Sequence, residues 1–160
     1  MNKFEIRRNN LFAQMKNNSL ALIYAGSPKI MSEDENYPFV VNKNFFYLTG
    51  IKQEESVLML IKTPGEHLSF LFISECNELK ERWTGKRIKP EEARDISGIT
   101  NIYSRQNFEN MLDMALDPNK HMYGTISTVY LDLSSEIKIA ENKSTILFKV
   151  ELEDKYKDYR

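Results

Sequence analysis

The chain has 160 residues, 41% of them hydrophobic and 28% charged, with 22 Lys and Arg against 23 Asp and Glu for a net charge of -1. That is enough for one globular domain with its own core, and the balanced charge speaks against a dedicated binder of nucleic acid or of an anionic membrane, which needs a positive excess. A single cysteine, Cys76, excludes an intrachain disulfide, and neither the start of the chain nor its longest apolar runs, 20–25 and 57–61, suits a signal peptide or a membrane span, so the sequence reads as cytoplasmic, with no membrane and no nucleic acid among its partners.

Residues 3–17 carry Phe4, Leu11, Phe12 and Met15 on one stripe, with Arg7, Arg8, Gln14 and Lys16 off it, which predicts an amphipathic helix. The run 20–25 is apolar without alternation, as in a strand covered on both faces. Gly26-Ser27-Pro28 breaks it, and a polar connection over 27–44 comes next, holding the acidic cluster Glu33-Asp34-Glu35 and then Tyr37-Pro38. An aromatic run, 45–50, closes on Gly50. Residues 57–61 and 68–73 form two strands whose linker contains Pro64-Gly65, a hairpin in which Pro presets φ and Gly accepts a positive φ.

Residues 78–89 mix charges around the lone tryptophan, Trp83. Pro90 opens a short helix with Glu91 and Glu92 in its first turn and Gly98 as its stop. Residues 99–103 read as a strand. Ser104 then caps a helix whose Phe108, Met111, Leu112, Ala115 and Leu116 keep helical spacing, and Asp117-Pro118 ends it. Residues 128–133 alternate as a strand, and 146–150 suggest another. Residues 1–150 make one domain, and 151–160, with seven charges, a tail or the start of a linker. Strands alternating with helices give an α/β fold with a mixed, partly parallel sheet flanked by helices on both faces.

The chemistry of a complete active site is missing from this pattern. The six glycines are too widely spaced for a dinucleotide fingerprint or a P-loop, and there is no nucleophile elbow. His67 and His121 are far apart and read as surface or structural residues, and Cys76 as a small buried hydrophobe. The sequence therefore offers no catalytic residue and no metal ligand set. Glu33-Asp34-Glu35 lacks the spacing of a calcium loop. It reads as a solvated loop, or as a contact for a positive group such as a free amino terminus. Residues 79–89 place Lys80, Arg82, Lys86, Arg87 and Lys89 around Trp83, which fits an exposed loop or a ligand or subunit contact. A single-strand nucleic-acid contact is opposed by Glu78, Glu91 and Glu92.

Two segments carry a resemblance. Met31-Ser32-Glu33-Asp34-Glu35-Asn36-Tyr37-Pro38-Phe39, leading to Asn44-Phe45-Phe46-Tyr47-Leu48-Thr49-Gly50, resembles the N-terminal domain of Xaa-Pro aminopeptidases (aminopeptidase P), in the prolidase and creatinase group. The similarity continues through Glu81-Arg82-Trp83-Thr84-Gly85-Lys86-Arg87 and Val129-Tyr130-Leu131-Asp132, spanning residues 3–150. Met31, where many relatives have arginine, and Asn44, where many have an acid, depart from the pattern.

The resemblance implies a creatinase/prolidase-type N-terminal domain standing before a larger catalytic domain. That second domain would bind two divalent metals, usually manganese, and hydrolyse the bond between any first residue and a following proline. The partners implied are that catalytic domain, neighbouring subunits of a homo-oligomer, and a peptide substrate with proline at position two. By position, Asp34 would receive the substrate's amino end and Trp83 would offer an apolar wall, with Tyr37 on the same rim. This chain alone is then expected to be inactive and to hold no cofactor. A stand-alone binding or oligomerisation module, or the N-terminal domain of an Xaa-Pro dipeptidase, would need the same core.

Overall fold

The computed structural model describes residues 1–27, 38–120 and 122–132, and within them every side chain except those of Lys80, Trp83 and Thr84. The strand expected at 146–150, the end of the strand at Leu133, His121 and the tail at 151–160 lie outside the described residues. In chain order the elements are α1 (Lys3–Gln14), β1 (Ser19–Tyr24), α2 (Lys43–Thr49), β2 (Val57–Lys62), β3 (His67–Ile73), α3 (Glu78–Thr84), α4 (Pro90–Ser97), β4 (Asn101–Ser104), α5 (Phe108–Leu116) and β5 (Thr128–Leu131). Among the described residues no helix is long and apolar enough to cross a membrane.

The strands form one sheet in the order β4-β3-β2-β1-β5. Its centre is antiparallel, β1 on β2 and β2 on β3, and each outer strand is parallel to its neighbour, β5 to β1 and β4 to β3. Every residue of β1 from Ser19 to Ile23 and of β2 from Val57 to Ile61 is buried. Successive side chains point to opposite faces, so each central strand feeds two cores. Ala21, Ile23, Leu58, Leu60, Leu71 and Ile73 meet Phe12 and Met15 at the end of α1, Phe45 and Leu48 of α2, and Ala93 of α4. On the other face Leu20, Leu22, Met59, Ile61, Phe70 and Phe72 meet Phe108, Leu112 and Ala115 of α5. Phe72 and Phe108 pack edge to face with ring centroids 5.2 Å apart. Each fully buried Leu, Ile or Phe contributes roughly 1.5–3 kcal/mol, which two-sided packing multiplies.

Local chemistry sets the ends. Asn2 caps α1 by accepting the Glu5 N–H, and its amide donates to Ile96 O at 3.0 Å, fastening α1 to α4. The last turn of α1 has no basic residue of its own. Lys62, at the end of β2, donates to Phe12 O at 2.6 Å and Met15 O at 2.9 Å and supplies the cation that a helix C-terminus favours. Asn42 caps α2, and Gly50 closes it in the left-handed conformation, φ 74°.

Three expectations need correction. Arg8 belongs to the inward stripe of α1, not the polar face: it is four residues from both Phe4 and Phe12, is 3% exposed, and donates to Leu48 O at 2.8 Å. Burial lowers its pKa from the usual arginine value, with Glu5 opposing, yet a guanidinium stays charged. The hairpin at Pro64-Gly65 forms, with Lys62 opposite His67, but Gly65 does not adopt a positive φ. Thr63 closes the turn instead, its N–H donating to Glu66 O and its Oγ1 accepting the Glu66 N–H. Cys76 is exposed.

Gly50 sits where a methyl group cannot. An added Cβ would press into the Phe4 ring and come within 3.1 Å of Ile96 Cγ2, while at Gly65 it would meet nothing within 4 Å. Gly50→Ala is expected to lower stability by about 2 kcal/mol, from positive-φ strain and overpacking together. Gly65→Ala should stay within about 0.5 kcal/mol of the parent. Chemical denaturation of the two variants side by side reads the difference.

Candidate functional site

The two motif segments leave the sheet from the same end. β1 and β3 run in the same direction, since both are antiparallel to β2, so the connections that leave them begin at one end of the sheet. Beyond β1, Ala25 N–H donates to Ser56 O and Glu55 N–H to Gly26 O, both at 2.9 Å. The chain turns at Gly26, φ 100°. Asp34 and Tyr37 lie in 28–37, outside the described residues. Where the description resumes, Asn42 N–H donates to Ala25 O at 2.9 Å, and the Phe39 ring stands 4.0 Å from the position a Cβ on Gly26 would take. Both ends of the segment carrying Asp34 and Tyr37 are thus pinned beside the last residues of β1.

Past β3 the chain forms α3, a short polar helix where the charged stretch around Trp83 suggested an exposed loop. Trp83 lies on its last turn, and its side chain is outside the described residues. Glu81 organises the residues just after this helix. Its backbone carbonyl accepts the Gly85 N–H at 3.0 Å and its Oε1 accepts the Arg87 N–H at 3.1 Å. Arg87 Nη2 then pairs with Glu54 Oε1 at 3.2 Å, and Ile88 N–H donates to Gln53 Oε1 at 3.2 Å. The basic element after Trp83 is therefore stitched to the turn before β2. Phe39, Gln53, Glu54, Gly85, Arg87 and Ile88 share the lining of one cavity of about 430 Å³. The residues that come after Tyr37 and those that come after Trp83 meet there, an association that the order of the motifs does not reveal.

The sequence reading missed Gln53, Glu54, Glu81 and Arg87 as a connected group. The density of charge in 78–89 was its one visible signal; the pairing partners sit about 30 residues earlier. Asn44 also finds a role. Its amide donates to Asp132 Oδ2 at 3.0 Å, beside a second amide from Asn42 at 3.3 Å. An acid at position 44 would face the Asp132 carboxylate instead. His67 is exposed and stacks on Phe12 with ring centroids 4.7 Å apart, a packing role. Among the described residues no group of three or more His, Cys, Asp or Glu side chains is placed to hold a metal ion.

A family model described as the aminopeptidase P N-terminal domain matches residues 4–123. The chain belongs to this family. It is 33% identical over 114 residues to the Xaa-Pro aminopeptidase of Haemophilus influenzae, covering 71% of this chain and 26% of that protein. It is 38% identical over 108 residues to Xaa-Pro aminopeptidase 3 of Dictyostelium discoideum, covering 67% and 21%. Among solved structures, an aminopeptidase P from Bacillus anthracis superposes with a TM-score of 0.86 at 29% identity, over 96% of this chain and 36% of that one. The Escherichia coli aminopeptidase P solved with the inhibitor Pro-Leu gives 0.76 at 28%, over 99% and 34%. The mixed sheet with helices on both faces is thus the fold of aminopeptidase P N-terminal domains, and the chain spans about a quarter of the first curated relative and about a third of these solved chains.

Cys76 lies against this element, its Sγ 3.6 Å from Ile88 O and 3.8 Å from Arg87 O. Desolvation and then the Glu81 carboxylate push its thiol pKa up. A raised pKa leaves less thiolate at neutral pH, and the thiolate is the reactive form. Alkylation of Cys76 by iodoacetamide should therefore run several-fold slower than that of a free cysteine at pH 7.5, and Glu81→Gln should speed it. Mass-spectrometric labelling rates decide the matter.

Proposed function

We propose that this chain is the non-catalytic N-terminal domain of an Xaa-Pro aminopeptidase, a hydrolase that removes the residue preceding proline at a peptide's amino end. In this reading it contributes contacts between subunits and covers the substrate pocket of a catalytic domain, its own or a neighbour's. Asp34 receives the substrate's amino group, Trp83 forms an apolar wall, and Tyr37 stands on the rim. Supporting this assignment is the convergence at one end of the sheet: Phe39 and Gly85 to Ile88, the described neighbours of Tyr37 and Trp83, line a single cavity. Residues placed beside a common opening by rigid strands are how an α/β fold presents a ligand-facing surface.

The two divalent metals belonging to this reading, manganese foremost, do not fit the described residues, which bring no three ligating side chains together. In this reading the described residues carry out no hydrolytic step. The metals would sit in the catalytic domain of a cytoplasmic homo-oligomer.

Two measurements test the reading. The purified 160-residue chain should release no first residue from an Xaa-Pro peptide with or without manganese, and measurable release would overturn the proposal. In a protein that includes the catalytic domain, Asp34→Asn and Trp83→Ala should each raise KM for a short Xaa-Pro peptide by roughly tenfold, with kcat less affected, as expected for lost substrate contacts. Unchanged KM in both variants would remove the pocket-covering role.

A further inference from the structure

We propose that the cavity at Arg87 is a carboxylate-binding site, with the guanidinium as its anchor. The inference goes beyond the pocket-covering role and stands or falls separately, because it rests on described residues only. Arg87 is half-committed. Its Nη2 is paired with Glu54 Oε1 at 3.2 Å, while its Nη1 is buried and has no partner among the described residues. A buried donor on a charged group without an acceptor is unfavourable, and an entering oxygen relieves it. The side chain as a whole keeps 17% of its surface exposed and lines the cavity, so an entering oxygen meets Arg87 there, and a shift of the side chain would bring the shut-in Nη1 to it.

The surrounding chemistry selects the class of ligand. Among the described residues Lys52, Lys86 and Arg87 line the cavity against Glu54 and Glu92, three positive charges to two negative. The neighbouring backbone donors are taken, Arg87 N–H by Glu81 and Ile88 N–H by Gln53. Phosphate sites draw on several free backbone N–H groups or a helix N-terminus; the helix N-terminus at hand, that of α4, starts with Pro90, which has no N–H, and carries Glu91 and Glu92 in its first turn, which oppose a doubly charged anion. One negative charge, two oxygens and a short apolar body match one guanidinium edge beside Phe39 and Ile88. Gly85 leaves the approach open, since a Cβ there would meet nothing within 4 Å.

The test is a titration of the 160-residue chain with propionate at constant ionic strength, read on the Arg87 guanidinium by proton–nitrogen NMR. The expected result is a saturable shift with a midpoint in the millimolar range, absent with propionamide. A blocked peptide carrying one glutamate separates the sources: binding at least tenfold tighter than propionate assigns the site to a peptide side chain, and equal binding to a small free acid. Arg87→Lys keeps the charge, loses the two-pronged geometry, and should weaken binding by about tenfold. Glu54→Gln removes the competing carboxylate and should tighten binding several-fold, a gain that misfolding cannot imitate. No saturable shift, an equal response to propionamide, inorganic phosphate binding as tightly as propionate, or no tightening in Glu54→Gln overturns the proposal.

Discussion

The burial of β1 and β2 on both faces is the constraint on which the rest of the architecture depends. A strand covered on one side can alternate polar and apolar residues. Ser19–Tyr24 and Val57–Lys62 do not, and their odd and even positions each need a cover. The chain meets that need by sending α1, α2 and α4 to one face and α5 to the other. The parallel pairings at the sheet edges are the outcome: β3 reaches β4 only after crossing over through α3 and α4, and β5 joins β1 only after α5 is laid down. The connections that leave β1 and β3 start where the candidate site lies. The same packing requirement thus builds the core and gathers the connections that carry Tyr37, Trp83 and Arg87.

How far this was legible in the sequence depended on the length of each signal. The hairpin, α4 and α5 were readable because turn chemistry or three helical repeats of apolar residues mark them. α2 was not assigned. Its seven residues include Phe, Tyr and Thr, which favour strands, and only one apolar turn, Phe45 with Leu48 and Thr49, faces inward. Its caps, Asn42 and Gly50, decide the matter. α3 is polar and short, so periodicity had nothing to work on. Arg8 was misplaced because a charged residue on an apolar stripe looks like an interruption until its acceptor, Leu48 O, is known. Cys76 was misplaced because free cysteines are usually buried, whereas this one sits on the connection after β3.

The candidate site was legible in a different way. Motif order named Asp34, Tyr37 and Trp83 through resemblance alone, and all three side chains lie outside the described residues. What the fold adds is the surroundings of their described neighbours, Phe39 and Gly85 to Ile88: a cavity whose wall is built from the turn before β2 and the basic element after α3. The ties between those walls, Arg87 with Glu54 and Ile88 with Gln53, cross more than thirty positions of sequence and leave no local pattern. Side-chain pairing across connections is where a single sequence is least informative and geometry most so.

The two asparagine amides held by Asp132 bind the start of α2 to the end of β5. Positions 44 and 132 are therefore one unit of variation although 88 residues separate them. A carboxylate at the first would accept where the asparagine amide donates, so it would lose the bond to Asp132 and set one negative charge against another. Swapping either residue in from a relative without the other would import half of a pair.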